Sequence, residues 1–296
     1  MTNRRLSVLK TYKVYIGGQF PRTESGRTYP LNNQRGKHIA HVCLCSRKDI
    51  RDAVVSARNA WGSWSKRAPF NRGQILYRMA EMLEGRKAQF VEEMQQMGLS
   101  KATAEKEVAQ SVDRLIYYSG WCDKYQQVFS TVNPVASSHF NFSVLEPVGV
   151  VSVFAPTESP LLGLVSLIAP IIAGGNTCVV LSSETSPLSA ITLAEVLNSS
   201  DLPGGVVNVL TGKRKELIAH MADHMDVNAV CITSMINSDI KLIQEKATGN
   251  IKRVRCYDNT RWDNDIHQGP HLIQDFQEVK TTWHPIEQIG GAKAGY

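Results

Sequence analysis

Side chains able to do covalent or acid–base chemistry occur in this sequence, but they stand apart from one another. Cys256 is followed directly by Tyr257. A thiolate nucleophile needs a base or a cation to lower its pKa, and no histidine or carboxylate is placed by a motif to activate Cys256. Tyr257, with an ordinary pKa near about 10, is mostly protonated at neutral pH and reads as a half-buried residue at a strand end, not as a base. Glu158 and Glu184 each follow an apolar run as lone carboxylates, and Lys213, Arg214 and Lys215 form a short basic cluster. His220 and His224 are four apart on an expected helix and could both reach one metal ion; no further ligand follows at matching spacing, so no metal is expected.

The elements that must position these residues follow from hydrophobic periodicity. The first forty-five residues mix Gly17-Gly18, Gly26, Pro30 and Gly36 with short apolar pieces at 14–16 and 39–42, which predicts short strands joined by turns. Ser46 to Asp49 then forms a helix cap, and Ile50, Val54, Ala57 and Trp61 fall on one helical face. Ile75, Met79, Met82 and Leu83 repeat that stripe, as do Val108, Val112, Leu115 and Ile116; helix-on-sheet packing accounts for all three. Residues 140–145 alternate apolar with polar, as a strand with one dry face does. Strands are expected at 148–153, 177–181, 206–209, 229–232 and 251–256, with helical segments after Pro160, Pro187, Gly212 and Asn237. That alternation implies an α/β fold, a Rossmann-like parallel sheet with helices on both faces.

Composition excludes several classes. With 43% hydrophobic residues and a net charge of +6, the chain is globular, and its basic residues are scattered from Arg4 to Lys293 without a nucleic-acid-binding motif. No nucleic-acid partner is expected. The uncharged run 161–181 is long enough to span a bilayer, yet Pro170 and the break at Gly174-Gly175-Asn176 divide it into a buried helix and a buried strand, so no membrane partner is expected either. The start of the chain lacks the apolar core of a cleavable signal. Cys43, Cys45, Cys122, Cys178, Cys231 and Cys256 show no pair at two-residue spacing and read as buried, reduced thiols of a cytoplasmic protein.

Several motifs in order, LEPVGVVSVFAP (145–156), AGGNT (173–177), Glu184 and LPGGVVNVLTG (202–212), resemble the nucleotide-binding domain of the NAD(P)-dependent aldehyde dehydrogenase superfamily. The resemblance implies functional positions that this sequence alters. The family pattern PWNFP, whose asparagine donates to the oxyanion, matches PTESP (156–160), so Glu158 puts a carboxylate where an amide donor belongs. The cofactor-ribose pattern KPxE matches LSSE (181–184), leaving Glu184 either to accept from ribose hydroxyls or to cap the helix that begins near Pro187. FTGSxxxG, the pyrophosphate turn, matches ITSMINSD (232–239): both glycines are gone, Met235 and Ile236 crowd the approach, and Asp239 brings negative charge. Where the family continues with the catalytic ELGGK, this sequence reads RCYDNT (255–260), with Tyr257 in the position of the general base. Pro156, Glu184, Gly212 and Thr233 remain as weak remnants of a cofactor site. Little or no cofactor binding is expected, with NAD or NADP at weak affinity as what survives.

DFQEVKTTWHP (275–285) is similar to the closing strand of the family, while the catalytic domain that would precede it, on the order of 100–200 residues, is replaced by a short polar segment. The domain expectation is therefore a nucleotide-type domain over 1–260 with 138–147 in an oligomerisation hairpin, a linker over 261–274, and an oligomerisation strand and tail over 275–296. This arrangement is similar to the shortened second unit of family sixteen aldehyde dehydrogenases. It implies a catalytically incompetent subunit that forms a homo-oligomer, or a hetero-oligomer with a full-length aldehyde dehydrogenase. Two alternatives stand beside it: an NAD(P)-binding subunit contributing to aldehyde oxidation in a complex, and a scaffold or sensor that binds another anion with Lys213, Arg214 and Lys215 as its lip.

Overall fold

A computed structural model describes residues 10–33, 35–233, 235–258 and 260–286. The expectations for the tail at 287–296, and for Ser234 and Asn259 within the altered turns, lie outside the described residues. The chain opens with the antiparallel pair β1 (Thr28–Asn32) and β2 (His38–Cys43), then four helices, α1 (Arg47–Ser65), α2 (Pro69–Gly85), α3 (Lys87–Gln96) and α4 (Lys101–Trp121), and the short α5 (Tyr125–Phe129). Next come β3 (Thr131–Asn133) and β4 (His139–Pro147). The alternating part follows as β5 (Val150–Phe154), α6 (Leu162–Ala173), β6 (Thr177–Leu181), α7 (Leu188–Asn198), β7 (Val207–Leu210), α8 (Arg214–Asp223), β8 (Ala229–Thr233), α9 (Asn237–Ala247) and β9 (Arg253–Tyr257). A short α10 (His271–Gln274) leads into β10 (Gln277–Pro285).

The five alternating strands form one parallel sheet in the order β7-β6-β5-β8-β9, the doubly wound arrangement expected. Its central strands are buried on both faces, which is why they read as unbroken apolar runs. Val151, Val153 and Val180 point to one side, into a core shared with α2, α4, α6 and α7. Val150, Phe154 and Leu181 point to the other, against α1 and α8. The uncharged run 161–181 resolves into α6 and β6, and among the described residues no helix is long and apolar enough to cross a membrane.

Local chemistry explains most boundaries and several departures. Ser46 and Asp49 form a reciprocal capping box at α1 as anticipated. On α1 the buried indole is Trp64, donating to Ile172 O at 3.0 Å, whereas Trp61 is only half-buried. On α4 the apolar stripe turns inward at Leu115, one helical step before Ile116, which is 43% exposed. Strand β9 starts two residues later than expected because Ile251 takes a left-handed φ of +55° and lies outside the strand. Gly149, at φ +127°, cannot carry a side chain, since a Cβ there would lie 2.3 Å from Asn228 Oδ1.

A second sheet, ordered β10-β4-β3, is antiparallel, with β10 paired along its whole length from Gln277↔Pro147 to Pro285↔His139. Phe276, Val279 and Trp283 were expected to lie on no single face. In the structure Phe276 precedes the strand and belongs to the main core, while Val279 and Trp283 share one outward face. The dry face expected of β4 is open instead: Phe140, Phe142 and Val144, with Val132 of β3, line a shallow apolar groove. Asn176 joins the two sheets. Fully buried, it accepts from Gly149 N at 3.0 Å and donates to Phe276 O at 2.9 Å. Asn176→Ala would strand both backbone groups and is expected to cost about 2–4 kcal/mol of stability, measured as a lowered urea midpoint with an unchanged slope.

Candidate functional site

The C-terminal ends of the parallel strands are where an open α/β sheet collects ligands, through the loops and helix N-termini that follow them. Here those loops bring together Glu158 after β5, Glu184 after β6, Arg214 at the start of α8 and Asp239 in the first turn of α9. Glu184 caps a helix, but α8 and not the α7 that was one of its two expected roles: its Oε1 accepts from the backbone N–H of Arg214. Asp239 supplies the negative charge favoured in the first turn of α9. Arg214 reaches inward, donating from its guanidinium to Ala155 O at 2.8 Å, and burial lowers its pKa against the opposing pull of Glu184, Asp239 and Glu158. The expected basic lip is thus reduced to Lys213 and Lys215, with the Lys213 ammonium 5.7 Å from the Tyr29 ring centre.

The other expected cofactor remnants serve packing. Thr233 is fully buried, and its hydroxyl donates to Phe154 O at 2.6 Å. Gly212 sits against Leu217 and Cys45, where an added Cβ would lie 3.0 Å from Leu217 Cδ1. Pro156 is buried beside Gly163, at which any Cβ would strike both Pro156 and Trp262. Leu181, in the place of the ribose-binding lysine, is buried, and Ile236 at the altered turn is 67% exposed. Toward a dinucleotide phosphate these loops present Glu158, Glu184 and Asp239, carboxylates that do not fit the group.

A cavity of about 820 Å³ opens beside this edge, lined by Glu107, Glu158, Met235, Ile236, Asp258 and Trp262 among others. Its floor is a residue that the motif reading missed. Glu107 on α4 is 94% buried, since its relative exposure is 6%, and its Oε1 accepts from Leu161 N at 2.8 Å, Leu162 N at 3.0 Å and Ser159 Oγ at 3.3 Å. It therefore caps α6 from a neighbouring helix. Ser111, Arg114 and Tyr118 continue a polar row along α4: Arg114 donates to Ser166 Oγ at 2.7 Å and to Trp262 O at 3.0 Å, and Tyr118 to Gly269 O at 3.3 Å. The signal was in the sequence as a polar line at helical spacing beside the apolar stripe.

Tyr257 is half-buried at the end of β9, as read from the sequence, but it has a specific partner. Its hydroxyl donates to Asp275 Oδ2 at 2.7 Å and its ring meets Trp262 edge-on at 6.1 Å. Burial, reinforced by the negative groups nearby, holds the phenol far above its ordinary pKa, so it stays protonated. The segment 261–274 is no loose linker: Trp262, Leu272 and Ile273 are buried. Cys256 departs from the expectation of a buried thiol. It is exposed because β9 is an edge strand, and burial and Asp258 still raise its pKa, away from thiolate reactivity. The other five cysteines are buried and all six are free. His220 and His224 gather no third ligand: among the described residues no group of three His, Cys, Asp or Glu could hold a metal ion.

Residues 21–256 match the aldehyde dehydrogenase family. The chain belongs to that family. A cytosolic 10-formyltetrahydrofolate dehydrogenase of Xenopus tropicalis is 31% identical over 255 residues, covering 84% of this chain and 28% of that protein. An aldehyde dehydrogenase of Aspergillus niger is 33% identical over 245 residues, 81% of this chain and 48% of its own length. Among solved structures, the NAD+ complex of a Bacillus cereus aldehyde dehydrogenase matches with a TM-score of 0.80 at 27% identity, over 84% of this chain and 51% of that one. The chain spans about half, or less, of the length of these aldehyde dehydrogenase relatives.

Burial raises the pKa of Glu107 above its ordinary 4.5, with the three donors opposing the shift. A carboxyl whose folded pKa is raised contributes stability that is complete below the unfolded value and is lost as pH rises through the folded one. Glu107→Gln keeps an acceptor for α6 and removes the titration. Denaturant unfolding at a series of pH values should therefore show a flatter profile for the variant than for the unaltered chain above about pH 4.5; parallel profiles would mean that Glu107 does not titrate in this range.

Proposed function

We propose that this chain is a catalytically incompetent aldehyde dehydrogenase-like subunit that serves assembly or regulation, in a homo-oligomer or with a full-length aldehyde dehydrogenase. The observation that carries this reading is Tyr257: the position matched to the family's general base holds a protonated phenol committed to Asp275. Glu158 at the oxyanion position deepens the deficit, since an ionised carboxylate cannot donate and repels a developing negative charge. Under this reading 1–260 is the nucleotide-type domain, 261–274 takes the place of a catalytic domain and 275–296 supplies the assembly strand and tail. The open apolar groove of Phe140, Phe142 and Val144 on one face of the β10-β4-β3 sheet, and the exposed Val279 and Trp283 on the other, support association through that sheet. Six free thiols are consistent with a reducing, cytoplasmic setting.

The NAD+ complex of the Bacillus cereus relative favours a second reading, in which this chain binds NAD or NADP as part of an oxidising complex. Against it stand Leu181, Met235 and Ile236 in a turn without the family's glycines, and the carboxylates at both helix N-termini. The expected affinity for NAD is weaker than about 1 mM. Calorimetry giving a micromolar constant at neutral pH would promote the second reading over the first.

The purified chain is expected to oxidise no aldehyde with NAD or NADP and to hydrolyse no activated ester, across short and long aldehydes in steady state. Any turnover by clean protein would defeat the proposal, whereas turnover that survives Cys256→Ser would refute only a relocated thiol. For assembly, Val279→Pro removes a strand donor in the middle of β10 and is expected to turn the oligomer into monomer or aggregate. Light scattering decides between that outcome and an unchanged oligomer, which would remove the β10 sheet from the interface.

A further inference from the structure

On the face of the molecule formed by α1 and α8, the two helices present cationic and imidazole side chains to each other across a groove of about 760 Å³. Arg47 and Arg51, four apart on α1, form one wall; His220 on α8 and His224 at its C-terminal cap form the other, with Ile50 between them and Asp223 at the edge. The charges are unequally spent. Lys48 pairs with Glu24 at 2.6 Å and Arg51 with Asp52 at 2.8 Å, while Arg47 and His220 have no hydrogen-bond or ion-pair partner among the described residues. Behind the groove lies Lys252, 8% exposed and bonded to Asn250 Oδ1.

We infer that this groove is a binding site for a small phosphoryl-type anion, a phosphomonoester or diphosphate group, separate from the cleft at the strand ends. Three features support it. A cavity of this size takes a small molecule and not merely a counter-ion. Its walls belong to helices packed on the sheet, so the cationic groups are held without ordering a loop. Burial lowers the pKa of His224; Asp226 opposes that shift, Lys252 and Arg47 add to it, and its Nδ1 accepts from Asp226 N at 3.2 Å, so the imidazole is neutral unless a further negative charge is brought beside it. An anion bound in the groove would favour the protonated form of His224, so affinity rises as pH falls.

Calorimetric titration of the whole chain with inorganic pyrophosphate at pH 6 tests the site. Binding is expected, weakened about tenfold or more in Arg47→Glu and unchanged in Lys213→Glu, with circular dichroism of both variants matching the parent. An absence of binding, equal binding by Arg47→Glu, or loss in Lys213→Glu overturns the inference. A second measurement follows the His224 ring-proton signal, identified by its disappearance in His224→Gln. Its pKa should rise on addition of sulfate, whose charge is constant between about pH 5 and 8; a pKa indifferent to sulfate overturns the coupling. Vesicles of phosphatidylserine should not retain the protein, and retention on them without binding of free pyrophosphate would transfer the site to a lipid surface and overturn the small-molecule assignment.

Discussion

A helix that begins inside a protein must find acceptors for its first N–H groups, and in this chain that requirement is met from outside the helix. The N-terminus of α6 lies in the core, without a side-chain cap of its own, and Glu107 of α4 supplies the acceptor. The same face of α4 then sends Arg114 and Tyr118 to carbonyls of the segment after β9. One row of buried polar groups therefore fixes three things together: where α6 starts, how α4 crosses it, and where the chain runs on its way to β10. Breaking any single member leaves a buried charge or dipole without its partner, which costs more than the bond itself contributes.

The edge of the parallel sheet obeys the same accounting with opposite chemical effect. Helices α8 and α9 each carry a negative side chain at the N-terminal end, Glu184 for the first and Asp239 for the second. Charge that a ligand could have contributed is built into the chain. Arg214, drawn in among Glu184, Asp239 and Glu158, offsets part of that charge. At this edge the helix N-termini are met by the chain's own carboxylates.

The alternation of apolar strands with helices was legible because burial on both faces of the sheet leaves no room for polar residues. Family motifs pointed to Glu158, Glu184 and Tyr257. Partners were not legible. Nothing in the sequence tied Tyr257 to Asp275, Glu184 to α8 or Glu107 to α6, since each joins elements whose spatial adjacency arises only from the finished topology. Burial within 261–274 was also hidden, because Trp262, Leu272 and Ile273 follow no helical or strand period and are gathered by docking onto α4 and α6.

Strand β10 is the last of the described elements, yet its partner among the described residues, β4, is made much earlier, with the whole parallel sheet between them in sequence. During synthesis β4 must therefore wait with one long edge unpaired while the strands and helices of the parallel sheet are translated and folded. Closure of that sheet is a late, long-range event, slow for entropic reasons. Throughout the delay the nascent chain offers a ready template to any other strand nearby, so the order of translation itself gives a co-translated neighbour the first opportunity to pair.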